Sequence, residues 1–132
     1  MILVDTSAWI EFLRDTGSPT CERVEALLDR DLATCGPVRM EVLAGARDEA
    51  HLRALQGLLA RATTVDTVPA DFDTAAAWYR RCRQGGATVR RMVDCLIAAH
   101  AIRIDVPLLH ADRDFDALAR HTPLSIDGAQ SS

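Results

Sequence analysis

The sequence reads as an α/β chain, with a central, mainly parallel sheet of four to five strands between two layers of helix. Two observations predict this. Short apolar runs alternate with stretches of helical periodicity along all 132 residues, and strands joined through helices pair in parallel with helices on both faces. Two of the apolar runs, "ILVD" and "LLHAD", also lead into a carboxylate. Acids at the carboxyl ends of parallel strands stand where open α/β sheets place their ligands.

The elements follow in order. Ile2–Asp5 is a strand. Ser7–Arg14 is a helix, with Trp9, Phe12 and Leu13 at i, i+3 and i+4. Gly17, Ser18 and Pro19 make a turn, and Cys21–Asp31 carries Val24, Leu27 and Leu28 on one helical face. Ala33–Cys35 is a very short second strand. A helix over Pro37–Ala44 starts with proline at its first position and is stopped by Gly45. Glu49–Arg61 aligns Leu52, Leu55, Leu58 and Leu59 in one stripe. Thr63–Val68 is a third strand, and Ala70–Arg83 a helix ended by Gly85 and Gly86. Val89–Ile104 is a long apolar helix, Leu108–His110 a fourth strand, Phe115–Arg120 a short helix and Leu124–Ile126 a last strand. Residues 1–126 thus form one domain of ordinary size, and 127–132, "DGAQSS", read as a disordered tail.

Composition excludes several classes. The four cysteines form no CxxC pair and no zinc spacing, so they read as reduced core residues. Met1 runs straight into a strand, with no basic leader and no long apolar span, which points to the cytoplasm and away from a membrane. The formal net charge of −4 offers no global attraction to nucleic acid. Every basic residue other than histidine is arginine, so no mechanism built on a catalytic lysine applies.

Each acid has an ordinary reading beside a functional one. Asp5 can cap the helix that follows. Glu41 can be a solvated helix residue. Asp94 suits a helical first turn, yet it shares a stripe with Ala98 and Ala101 that packs closely on a sheet. A carboxylate there is partly buried and needs a cation partner. Asp112, Asp114 and Asp116 alternate, and one of them can cap the next helix. If Asp5, Glu41, Asp94 and Asp112 converge, their mutual repulsion is about 4 kcal/mol per close pair at an effective dielectric of 20. A counter-cation must relieve it. Oxygen-only ligands at a sheet rim suit a hard ion such as Mg²⁺ or Mn²⁺. Such an ion holds a phosphate oxygen and activates water for in-line displacement, the chemistry of phosphodiester hydrolysis.

In sequence, "ILVDTSAWI", "VRMEVLAGA", "DCLIAAHA" and "LLHADRDFDAL" resemble a PIN-domain ribonuclease of the VapC toxin type, from Ile2 to about Ile126. The resemblance implies a three-layer α/β/α sandwich. It implies a Mg²⁺- or Mn²⁺-dependent endoribonuclease acting on transfer or ribosomal RNA. It also implies a VapB-like antitoxin that blocks the site, and a homodimer. Asp5, Glu41, Asp94 and Asp112 match the family's acids, with Asp114 as a further ligand and Asp112 favoured over it. Ser7, or else Thr6, is expected to hydrogen-bond the Asp5 carboxylate or a water on the ion, unless Ser7 caps its helix. The alternative reading is a PIN-type module that binds RNA without cutting it and acts through its antitoxin complex.

Arg80, Arg81, Arg83, Arg90 and Arg91 surround a glycine pair just before Asp94 and read as a grip on the phosphate backbone, or else as a solvated helix end. Arg113 balances its flanking acids. His100, His110, Trp78 and Tyr79 are expected to pack inside. Trp9, Phe12 and the leucine stripe are either core or the lining of a partner groove. Receiver domains and haloacid-dehalogenase-like phosphatases also carry acids at strand ends, but both use a lysine that this chain lacks.

Overall fold

A computed structural model describes residues 1–128. The sheet has four parallel strands: β1 (Ile2–Val4), β2 (Leu32–Cys35), β3 (Thr63–Val65) and β4 (Leu108–Leu109), in spatial order β3-β2-β1-β4. Among the described residues, seven helices flank it as an α/β/α sandwich: α1 (Thr6–Leu13), α2 (Pro19–Leu27), α3 (Gly36–Ala44), α4 (Glu49–Leu59), α5 (Pro69–Gln84), α6 (Met92–Ile104) and α7 (Asp114–His121). The chain lays β1, β2 and β3 outward in one direction, then returns to place β4 on the other side of β1. Strand order therefore reverses between β1 and β4, where a crevice opens beyond the carboxyl ends. Asp5 follows β1, and Asp112 lies three residues after β4.

β1, β2 and β4 are wholly buried, as continuous apolar runs in a covered parallel sheet should be. Trp9, Phe115, Ile97 and Leu118 fill the core with them. Trp9 belongs to that core, and Phe12 meets its ring edge-on while remaining half-buried. Leu55 and Leu59 of the leucine stripe are buried, while Leu52 and Leu58 are half-buried. The four cysteines are free and buried. Burial pushes the Cys35 thiol up to about 11 and that of Cys95 up to about 12, so neither is a ready nucleophile.

Several boundaries differ from those the sequence predicts, among them α2, which ends at Leu27 rather than Asp31. β3 stops at Val65, because residues 66–68 turn toward α5, where Val68 N–H donates to Asp71. α6 starts at Met92 rather than Val89, and residues 87–91 form a connection outside helix. The last strand is a single parallel bridge between Ile126 and Leu108. The tail does not begin at Asp127: that carboxylate is buried and takes a two-pronged pair from Arg23, Nε at 3.0 Å and Nη2 at 3.2 Å. Residues 129–132 lie outside the described residues. Among the described residues, no helix is long and apolar enough to cross a membrane.

Candidate active site

Asp5 caps α1 with one of its two oxygens and leaves the other unpaired. Oδ2 accepts from Ser7 N–H at 2.9 Å and from Ser7 Oγ at 2.6 Å. Oδ1 is buried with no hydrogen-bond partner. Asp5 is 1% exposed, and that desolvation raises its pKa against the opposing bonds from Ser7, with nearby Glu41 raising it further. Ser7 is therefore not the helix cap. Its hydroxyl also accepts from Ala111 N–H at 2.9 Å, which ties the end of β1 to the loop after β4. Thr6 turns to a different acid: its Oγ1 donates to Glu41 Oε1 at 2.7 Å. The two neighbouring hydroxyls thus each fix one carboxylate.

Asp94, in the first turn of α6, is fully buried. The small residues Ala98 and Ala101, also buried, let this helix lie close to the molecule's centre. Burial pushes the Asp94 carboxyl up to about 6, against the pull of Arg91 and with a further push from the charges of Asp5 and Asp112. Its Oδ1 accepts from Arg91 Nη2 at 2.9 Å, while Oδ2 is buried without a partner. Asp94, Asp112 and Asp114 each offer an oxygen within 4.8 Å of the other two. Oxygens shared by one Mg²⁺ at about 2.1 Å can be no more than about 4.2 Å apart, so this trio is within a side-chain adjustment of an octahedral set. Two orphaned buried oxygens and three converging carboxylates, all hard donors, fit a divalent ion. Asp114 is part of the trio alongside Asp112. Neither Asp5 nor Glu41 is in the trio, and Glu41 joins it through Arg91, whose Nη1 donates to Glu41 Oε2 at 2.7 Å.

The arginines are arranged differently from a single grip. Arg90 and Arg91 are pulled into the acids. Arg90 Nε donates to Asp114 Oδ2 at 3.0 Å and its Nη2 to Asp112 Oδ1 at 3.1 Å. Arg81 lies over the Trp78 ring and Arg83 over the Tyr79 ring, each 5.7 Å from the centroid. Arg80 is exposed on α5. The sequence points to Arg91 but not to its task, since it meets a glutamate fifty positions away.

His110 and His100 both lie inside. His110 Nδ1 accepts from Asp112 N–H at 3.1 Å, which steadies the loop that carries Asp112. Its Nε2 is 3.3 Å from Asp116 Oδ1, near enough for attraction but not aligned for a hydrogen bond. Burial lowers its pKa, against the raising effect of Asp116. His100 bridges Leu96 O and Thr67 Oγ1, both at 2.7 Å, and so serves packing between α6 and the β3–α5 connection.

Residues 2–121 match the family described as PIN domain. The chain is 44% identical over 128 residues to a VapC ribonuclease of Mycobacterium bovis and to ribonuclease VapC11 of Mycobacterium tuberculosis, covering 94% of this chain and 96% of each relative. Among solved structures, VapBC-1 of nontypeable Haemophilus influenzae aligns with a TM-score of 0.77 at 22% identity, over 98% of both chains. VapBC2 of Rickettsia felis, bound to a DNA fragment from its promoter, aligns with a TM-score of 0.76 at 19% identity, over 96% of this chain and 98% of that one. These structures share the fold.

Proposed function

The chain belongs to the PIN-domain family, among its VapC ribonucleases, and from that premise we propose that it is a metal-dependent endoribonuclease held in check by a VapB-like antitoxin. The observation that carries this reading is the convergence of Asp94, Asp112 and Asp114 beside the partnerless buried oxygens of Asp5 and Asp94. Asp94, Asp112 and Asp114 would hold Mg²⁺ or Mn²⁺, with Asp5 close enough for its charge to act on Asp94. The bound ion supplies Lewis acidity toward a phosphoryl oxygen and lowers the pKa of water. Ser7 keeps Asp5 oriented, and Thr6 keeps Glu41 oriented for the water or the leaving oxygen. Arg80, Arg81 and Arg83 lie outside the acid cluster, near the end of α5, and suit the RNA backbone.

The partner surface proposed for the antitoxin adjoins the acids. Ile10, Leu13, Val42 and Leu55 line a cleft of about 380 Å³ that also contains Thr6, Glu41, Arg14 and Arg47. Ile10 and Leu13 are exposed large apolar residues, which suits an amphipathic helix carrying acidic residues. Exposed Met40 and Phe72, which line one apolar cleft with Val93 and Leu96, suit a homodimer through another face.

The test is cleavage of RNA by purified protein. With Mg²⁺ or Mn²⁺ the wild type should cut, and Asp94→Asn should lose about a hundredfold to a thousandfold of the rate, the scale seen when a group stabilising charge in the transition state is removed. Cutting that needs no metal and survives Asp94→Asn rejects this reading. A wild type that binds RNA and leaves it intact supports the non-cleaving alternative instead.

A further inference from the structure

We infer that Arg91, assisted by Arg90, is a built-in competitor of the metal: it holds the acids together in the ion-free protein and must release them for an ion to be held tightly. The inference rests on the metal-dependent reading above and concerns residues that reading does not use. The Arg91 guanidinium divides its fork between two acids from different helices, Glu41 of α3 and Asp94 of α6. Arg90 does the same for Asp112 and Asp114. Four carboxylates that repel one another are thereby bridged in pairs by two adjacent residues of the α5–α6 connection. A planar fork makes such double bridges where a point charge does not.

These bridges set a cation against each carboxylate that an ion would need, and leave Asp94 only Oδ2 unpartnered. Asp94 Oδ1, Asp112 Oδ1 and Asp114 Oδ2 all accept from a guanidinium. An oxygen facing a guanidinium N–H at 2.9 Å lacks a free lone pair of equal strength for a cation on the same side. The release is feasible because the cations are not trapped: the Arg91 side chain is half-exposed and that of Arg90 is 63% exposed, whereas Asp94 is fully enclosed. The acids are fixed, and the arginines are the parts that can leave. A released guanidinium stays tethered beside the acids, where the phosphate of a bound strand offers it a new partner. Coupling of this kind is reciprocal. Phosphate that draws Arg91 away makes ion binding tighter, and a bound ion makes the arginine available to phosphate.

The experiment is calorimetric titration of the full chain with Mn²⁺ alone, without RNA. Arg91→Gln should bind Mn²⁺ at least about tenfold more tightly than the wild type, the scale of one charge-assisted hydrogen bond no longer broken on binding. Arg91→Lys keeps the charge but loses the fork, and should fall between the two. Arg113→Gln is the control: Arg113 sits between Asp112 and Asp114 in sequence, yet pairs with neither among the described residues. It should change the affinity by less than about threefold, the size of a screened surface charge. Affinity in Arg91→Gln that is unchanged or weaker overturns the inference, as does an equal gain in Arg113→Gln. If Arg91→Gln does not fold, Arg90→Gln takes its place, with the same gain expected and the same results overturning the inference. The underlying reading fails separately: a wild type that takes up no more Mn²⁺ than Asp94→Asn rejects the metal site and the competition with it. A wild type that binds while Asp94→Asn does not leaves the site standing and the arginine arm decisive.

Discussion

Asp5 and Asp94 show how one residue can serve both the fold and the chemistry. Each commits one oxygen to a partner, Ser7 or Arg91, and keeps the other buried and partnerless. A buried acceptor left unmatched costs roughly 1–3 kcal/mol, a cost that an ion bound as proposed would offset at both oxygens. The Asp94 carboxyl should make stability depend on pH in a direction opposite to most carboxylates. It keeps its proton up to about 6 in the folded chain, against 3.8 as an ordinary carboxyl. The folded state therefore binds more protons than the unfolded state between those values. Its contribution to stability is full below about pH 4 and is lost as pH rises through about 6. Denaturant unfolding of ion-free protein from about pH 4 to 7 should show wild-type stability falling relative to Asp94→Asn across that window. Parallel curves would show that Asp94 ionises as it does in the unfolded chain. The acids themselves are legible in the sequence because carboxylates at strand ends and on an alanine stripe contradict the apolar pattern around them. Arg91 is legible only as a charge, since what it neutralises depends on how a connection folds back across the crevice.

At the scale of elements, periodicity locates every helix, and the misplacements lie where local pattern yields to tertiary contact. Val89 is apolar and buried, so it continues the apparent stripe of α6. The helix nonetheless starts only at Met92, because Arg90 and Arg91 take extended or turning backbone to reach the acids. The glycine pair after α5 reads as a stop signal, and its second purpose is out of reach from sequence. Gly85 has an ordinary negative φ, so its backbone needs no glycine. What it lacks is room: a Cβ there would lie 2.6 Å from Cε1 and 2.7 Å from Nδ1 of His121 at the end of α7. Gly85→Ala should therefore destabilise the protein by about 1–2 kcal/mol through displacement of that ring. In a His121→Ala background the same change should cost almost nothing. A double-mutant cycle by thermal unfolding measures this coupling, and additive losses would place the strain elsewhere.

At the scale of the whole molecule, topology explains why the site needs most of the chain. The reversal of strand order between β1 and β4 opens one crevice, and the acids of the proposed site arrive from the end of β1, from α3 and α6, and from the β4–α7 connection and the start of α7. Parallel pairing follows from alternating strands and helices, so the rim is foreseeable. The cleft holding Ile10 and Leu13 is not, because Trp9 and Phe12, the larger apolar residues of the same helix, turn inward. A site assembled from positions 5 to 114 cannot persist in the unfolded chain, where its carboxylates are scattered. An ion that binds the folded state alone must then stabilise the entire domain by mass action. At a Mn²⁺ concentration about one hundred times the dissociation constant, the gain is about 2.7 kcal/mol, a rise in melting temperature on the order of 10 °C for a domain of this size. Asp94→Asn should lose most of that rise while melting near the wild-type temperature in chelator, since the amide keeps the shape and removes a charge that burial disfavours. A melting temperature that Mn²⁺ leaves unmoved in the wild type would mean that the carboxylates, though gathered, do not bind the ion as one site. An equal rise in Asp94→Asn would place the binding outside the crevice.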